Sequence, residues 1–197
     1  MTATWRATQK ARRRAELMTA AAALFAERGF ASVSTGDLGE AVGISGPALY
    51  KHFASKDALL EELLTDASER LLEGARQLTD ELSDPRALLE ALIDFHVDFA
   101  LSEPDIIRIQ DRELAALPDA ANRRIRALQR AYVLAWDAPL SALSPALRPD
   151  ERRTLLHALF GLLNSTPHSA GTSRKRTTAV LTAAAAAVLF GTTVPSA

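Results

Sequence analysis

Apolar residues recur at helical spacing along most of the chain. From about Lys10 to Arg28, the residues Leu17, Ala20, Ala21, Leu24 and Phe25 fall three or four apart and share one helix face. Gly29 follows as a stop, since a residue without Cβ accepts the left-handed backbone that ends a helix. Ser34, with Asp37 three positions on, approximates a capping box and opens a second, short helix that Gly43 closes. Ser45 predicts the cap of another short helix, with Gly46 and Pro47 in its first turn, where a missing N–H costs nothing. That helix carries Leu49, Tyr50 and Phe53. Ser55 caps a longer one, roughly Lys56 to Leu78. Two short helices therefore sit between two long ones, joined by the tight turn Val42-Gly43-Ile44-Ser45.

Beyond Leu82 proline punctuates longer helices. Asp84-Pro85 starts one that ends near Ser102, Glu103-Pro104 another to about Ala116, and Pro118-Asp119 a third to about Asp137. A loop is expected from Pro139 to Pro149, then a helix from Asp150 to about Ser165, a loop from Thr166 to Ser173, and a last helix from Arg174 to Phe190. The expected fold class is all-α. An N-terminal three-helix unit over residues 10–56, continued by the connecting helix 56–78, precedes a helical body over 66–197.

Composition agrees. Leu and Ala dominate, Gly and Pro number 9 each, and the 48% hydrophobic and 24% charged fractions are those of an ordinary globular chain. The absence of cysteine rules out disulfides, thiolate zinc sites and a Cys nucleophile, and suits a reducing cytoplasm. The net charge of −1 is divided unevenly: residues 1–56 hold eight basic and four acidic side chains, a balance of +4 that leaves −5 for the rest. A basic head on an acidic body points to a polyanionic partner at one end. Arg6 to Arg14 lead into no cleavable leader, and the apolar run Val180 to Phe190 is far short of the ~20 residues a membrane span needs. A cytoplasmic protein without a membrane partner is expected. So is the absence of catalytic residues, metal site and cofactor. The chain has no Gly-rich phosphate loop, no Gly-x-Ser-x-Gly elbow and no His pair at ligand spacing, and His52, His96, His157 and His168 lie far apart.

Helix, tight glycine turn, helix is the outline of a helix-turn-helix, whose second helix enters the major groove N-terminus first. Ser45, Gly46, Pro47 and Ala48 make a small tip that lets backbone come close to base edges. Tyr50, Lys51 and His52 are donors suited to phosphate oxygens, and Lys56 adds a charge at the start of the next helix. Gly29-Phe30, Ser34, Asp37-Leu38, Gly43-Ile44-Ser45, Leu49-Tyr50-Lys51-His52-Phe53 and Ser55-Lys56-Asp57-Ala58-Leu59-Leu60 follow one another in the order and spacing of a known pattern. In this the chain resembles the TetR (tetracycline-repressor-like) family over about residues 10–65. The resemblance implies phosphate contacts by Tyr50, His52 and Lys56. It implies base-facing positions in the first turn of the recognition helix and in that of the preceding one, at Ser34, Thr35 and Gly36. It departs at Gly36, where the family carries a polar residue, and at Gly39, where it carries Ala; each glycine costs a helix about 1 kcal/mol. With Pro47 also in place of a polar or glycine residue, direct readout is sparse and part of the specificity falls to DNA shape.

The resemblance further implies a C-terminal ligand-binding and dimerisation domain. Small and apolar residues of the last two helices, Leu155, Leu159, Leu163, Val180, Ala184, Ala187 and Val188, are candidates for a four-helix homodimer seam or for the monomer's own core. Polar residues on apolar stripes are the pocket clues. The candidate ligand contacts are Phe95, His96, Phe99, Ile107, Gln110, Tyr132, Trp136 and Asn164, with His96 either a polar handle or a core histidine satisfied by protein partners. Arg108, Arg112, Arg123, Arg124, Arg126 and Arg130 read as a solvated face, the alternative being attraction of an anionic head group such as that of an acyl-coenzyme A. The expected function is a transcriptional regulator, a ligand-released repressor that binds a near-palindromic operator on double-stranded DNA as a homodimer. Its effector would be a small apolar or amphipathic molecule. The competing reading is an architectural DNA-binding protein that senses nothing.

Overall fold

The computed structural model describes residues 2–168 and 173–191. Among them every regular element is helical: α1 (Thr2–Arg28), α2 (Thr35–Ala41), a 3-10 helix (Gly46–Lys51) and α3 (Lys56–Glu81) come first. Then follow α4 (Pro85–Ser102), α5 (Pro104–Glu113), α6 (Asp119–Leu143), α7 (Pro149–Leu163) and α8 (Arg174–Gly191), with single 3-10 turns at Leu114–Ala116 and Thr166–His168. The expected loop from Thr166 to Ser173 falls partly on residues 169–172, outside the described residues. The chain divides into two compact units. The first runs to Ala67 and takes in Arg108–Ile125; the second holds Ser68–Ile107 and the chain from Arg126 onward. All three boundaries fall inside helices, so α3, α5 and α6 each give turns to both units.

In the first unit Leu17, Ala21 and Phe25 of α1, Leu38 of α2, Leu49 of the 3-10 helix and Leu59 of α3 are fully buried. α1 begins at Thr2 rather than near Lys10. Its apolar periodicity starts only at Leu17, but the Ala, Arg, Gln and Lys residues before it favour helix without a packed face. Arg12 and Arg13 both pair with Glu16 at 2.9 Å and support that exposed stretch. Gly29 ends the helix at φ +83°, as its backbone freedom allows. The carbonyls left open there, of Phe25 and Ala26, accept from Arg112 at 2.8 and 2.7 Å, and the Phe30 N–H donates to Glu113 at 3.1 Å. Arg112 therefore does not belong to a solvated arginine face; it closes the end of α1.

The turn after α2 folds back on Gly39. The Gly39 carbonyl accepts from Ile44 N–H at 2.8 Å, and Gly43 takes the positive φ of +70° that the reversal needs. A Cβ on Gly39 would lie 2.6 Å from the Ile44 carbonyl oxygen and 2.9 Å from the Gly46 nitrogen. A Cβ on Gly46 would lie 3.3 Å from the Gly36 Cα. The two elements thus pack backbone against backbone, closer than side chains would permit. The segment Gly46–Lys51 is 3-10 rather than α-helical, and Ser45 makes no side-chain cap. Pro47 has no N–H to be capped, and the Ala48 N–H is already taken by the Ser45 carbonyl at 2.9 Å, an i to i+3 bond that fixes the tighter helix.

In the second unit α4, α7 and α8 pack on one another, and Leu92, Ile93, Trp136, Leu140, Leu159 and Ala185 are at its centre. α3 approaches α4 through Gly74, where a Cβ would stand 2.2 Å from the Phe95 ring. α6 does not stop before Pro139 but runs on to Leu143. Proline in a helix interior forfeits a hydrogen bond and strains the turn before it, at a cost of about 3 kcal/mol. Burial of Pro139 and Leu140 offsets this, so the loop expected from Pro139 shrinks to a few residues before α7.

The Gly39 approach yields a measurable ordering. Gly39→Ala should gain helix propensity but force the turn apart, with a net loss of about 1–2 kcal/mol. Gly36→Ala, which meets only the Ser34 hydroxyl at 3.3 Å, should cost less. Urea unfolding midpoints check this, and a Gly39→Ala protein more stable than the parent would refute the crowding.

Candidate functional site

The first unit presents the helix-turn-helix. Ser34 and Asp37 form a reciprocal capping box: the Ser34 hydroxyl accepts from Asp37 N–H at 3.1 Å, and the Asp37 carboxylate accepts from Ser34 N–H at 2.7 Å and from its hydroxyl. These bonds, the side-chain one first, hold the Asp37 carboxyl below its ordinary range. The Ser34 hydroxyl is therefore occupied, although the residue is exposed, as is Gly36, with Thr35 half-buried between them. Across from it Ser45 and Pro47 are exposed, and Gly46 and Ala48 half-buried. Tyr50, 55% exposed, and Lys51 stand at the far end of the 3-10 helix, and Leu49 anchors it in the core.

His52 is half-buried, and its Nδ1 is enclosed without a hydrogen-bond partner. Burial first, then the charges of Lys10, Arg14, Arg13 and Lys51, push its pKa down, so the ring is neutral at neutral pH. Lys56 is largely committed inside the unit. Its ammonium donates to the Phe30 and Val33 carbonyls, both at 2.8 Å, and lies 4.3 Å over the Phe30 ring. Two of its three protons hold the loop between α1 and α2, and one is left for the phosphate contact that the resemblance implies. Sequence reasoning missed Arg14, which donates to the His52 carbonyl, pairs with Glu62 and lies 4.1 Å over the Phe53 ring. Its signal was a basic residue three positions before Leu17, on the buried face of α1.

The second unit encloses a polar cluster. His96 is buried, with Nδ1 3.0 Å from the Tyr132 hydroxyl and Nε2 3.0 Å from Asn164 Oδ1. The amide oxygen only accepts, so Nε2 carries the proton and the Tyr132 hydroxyl donates to Nδ1. Protein partners thus satisfy both ring nitrogens. Phe160 packs edge-on at 5.2 Å from both His96 and Trp136. Burial pushes the Tyr132 phenol well above its ordinary range, with hydrogen bonding from the Trp136 indole acting the other way. On one face of α6 the buried Gln129 amide N–H has no partner, and the Trp136 indole N–H makes no hydrogen bond of good geometry, acting only on the Tyr132 hydroxyl. Gln129 was overlooked, though it interrupts the stripe Ile125, Tyr132, Trp136, Leu140 at helical spacing. Phe95 and Phe99 are half-buried in the same unit, which also holds the buried Ile107, whereas Gln110 belongs to the first unit.

The residues considered for a dimer seam divide between two faces. Leu159 and Leu163 are fully buried within a single chain, closed in the core of the second unit. Leu155, Ala184 and Val188 are half-buried, whereas Ala187 and Val180, the latter 65% exposed, face outward. The outer face of α7 carries Thr154, His157, Ala158 and Gly161, and that of α8 Val180, Ala183 and Ala187. Among the described residues no His, Asp and Glu cluster could hold a metal ion, and no helix is long and apolar enough to cross a membrane.

Residues 17–63 match the family described as bacterial regulatory proteins, tetR family, and residues 82–168 the tetracyclin repressor-like C-terminal domain. Together these stretches cover more than half of the chain, which belongs to the TetR family of regulators rather than to an enzyme family. Among curated relatives, the HTH-type transcriptional repressor KstR2 of Rhodococcus jostii RHA1 is 40% identical over 84 residues, 43% of this chain. The match spans 41% of that relative's length. The ketosteroid transcriptional regulator KstR2 of Mycobacterium tuberculosis superposes with a TM-score of 0.79 at 26% identity, covering 93% of this chain and 96% of that one. A TetR-family regulator from Bordetella parapertussis shares the fold, with a TM-score of 0.81 at 24% identity over 93% of this chain and 98% of its own.

The buried histidine makes stability depend on pH. Burial lowers the His96 pKa from 6.5 to about 4, against the opposing effect of the Asn164 hydrogen bond. A group depressed in this way stabilises the fold fully above pH 6.5, and that contribution is lost as pH falls from 6.5 through about 4. The loss should be about 3 kcal/mol. Urea unfolding across that window should show it as the difference between the parent and His96→Gln; parallel profiles would show that the ring is not held neutral.

Proposed function

We propose that this protein is a transcriptional repressor that binds a near-palindromic operator as a homodimer and leaves it when a small apolar or amphipathic molecule occupies the second unit. The observation that carries this is the recognition segment. Its tip, with Ser45 and Pro47 exposed on either side of a half-buried Gly46, is low enough for backbone to approach base edges, with Tyr50, Lys51 and His52 behind it as phosphate donors. Thr35 and Gly36 lie across the close glycine contact from that tip and complete the base-facing surface. Such a role places the protein with the chromosome in the cytoplasm. The repressor KstR2 of Rhodococcus jostii supports the direction of the response, and the ketosteroid regulator of Mycobacterium tuberculosis an effector that is largely apolar.

The effector's contacts fall to the second unit. Both His96 ring nitrogens are already satisfied by Tyr132 and Asn164, so the groups with unmet capacity are the Gln129 donor and the Trp136 indole, the latter beside the Tyr132 and Phe160 rings. An effector carrying a hydrogen-bond acceptor would meet that need, since a buried donor without a partner costs about 1–3 kcal/mol. Because α3, α5 and α6 have turns in both units, repacking around these groups is carried along continuous helices to the first unit. Dimerisation falls to the outer faces of α7 and α8, where Ala158, Gly161, Ala183 and Ala187 would let two copies approach closely.

In vitro selection from random duplexes should recover a site with two-fold symmetry, protected symmetrically in hydroxyl-radical footprints. An asymmetric single half-site bound at full affinity would contradict the reading. Ala183→Glu should leave the helical signal intact and shift sedimentation from dimer to monomer, because Ala183 is exposed in the single chain. Leu159→Glu should instead lose the fold. A dimeric Ala183→Glu protein would move the interface elsewhere.

A further inference from the structure

The face of α1 that is apolar from Leu17 onward is basic before it. Leu17, Ala21 and Phe25 repeat every four residues and are fully buried. Arg14 and Lys10, three and seven residues before Leu17, continue the same stripe toward the N-terminus. The turn at Arg13 and Arg14 packs across the end of the helix-turn-helix: Arg13 donates to the Val42 carbonyl at 2.8 Å, and Arg14 to that of His52. Lys10 lies one turn further out, about 6 Å along the axis. It is exposed and has no hydrogen bond or ion pair to any described residue. It stands one turn beyond Arg14, whose guanidinium bonds the His52 carbonyl, and its charge acts on His52 together with those of Arg14, Arg13 and Lys51. Five basic residues, Arg6, Lys10, Arg12, Arg13 and Arg14, precede the first acidic one, Glu16. The family match begins only at residue 17, so it assigns this stretch nothing.

We propose that Lys10 binds a backbone phosphate of duplex DNA, adding to each half-site a contact beyond those of the helix-turn-helix. The proposal rests on the reading of the first unit as the DNA reader. The occupant follows from charge and continuity. The patch is cationic, it adjoins the donors Lys51 and His52, and a duplex presents a phosphate charge about every 1.7 Å along its axis.

The test uses the full chain and a duplex of about 40 base pairs, roughly four helical turns, that carries the operator recovered by selection. Affinity is measured across a range of salt for the parent, Lys10→Ala and Lys10→Arg. Lys10→Ala should flatten the slope of log affinity against log salt by about 0.9 for each protomer bound. Lys10→Arg should keep the parental slope, and selection repeated with Lys10→Ala should return the same sequence, because phosphate contacts carry no base information. A parental slope in Lys10→Ala, or a changed sequence preference, would overturn the role of Lys10 while leaving the DNA reader intact. A parent protein that shows no salt-dependent duplex binding would overturn the reading beneath it.

Discussion

The close backbone approach at Gly39 is the constraint on which the first unit's surface depends. With no Cβ between α2 and the turn, the Ile44 carbonyl and the Gly46 nitrogen lie where a methyl group would otherwise stand. That draws the 3-10 helix against the first turn of α2, so that Thr35 and Gly36 on one element and Ser45 to Pro47 on the next form one low surface. Leu38 and Leu49, both fully buried, seat the pair in the core of the first unit, where α2 packs on α1. The arrangement exchanges intrinsic helix propensity for proximity: two glycines weaken a seven-residue helix that its capping box and its packing restore.

The second unit solves a different problem, the burial of hydrogen-bonding groups without charge. His96, Tyr132 and Asn164 form a chain in which the Tyr132 hydroxyl and His96 Nε2 protons each have an acceptor, and burial keeps the imidazole neutral. A satisfied polar network of this kind rigidifies the core around it. The Trp136 and Gln129 donors lie outside that chain on the same helix, which gives the unit both a rigid part and an unmet capacity.

Much of this was legible in the sequence because local signals and tertiary packing agreed. The capping box at Ser34, the stop at Gly29, the proline starts of α4 and α5 and the helix-turn-helix spacing all reappear in three dimensions. The misreadings arose where long-range burial decided. Pro139 would end an isolated helix, yet α6 continues because Leu140 is drawn into the core. Leu159 and Leu163 share an apolar pattern with residues that face outward, and periodicity alone cannot say which side a single chain closes. Arg112 read as part of a solvated face, but its partners are carbonyls of a chain segment distant in sequence, which no local pattern encodes; the carbonyl bonds of Lys56 were hidden for the same reason.

The claim that the glycine-closed tip is the surface that meets DNA can be examined residue by residue through amide hydrogen exchange, with and without the selected operator. Slower exchange concentrated at Thr35–Leu38 and Gly46–His52 in the complex is the expected result. Unchanged exchange there, with protection confined to the second unit, would contradict the account.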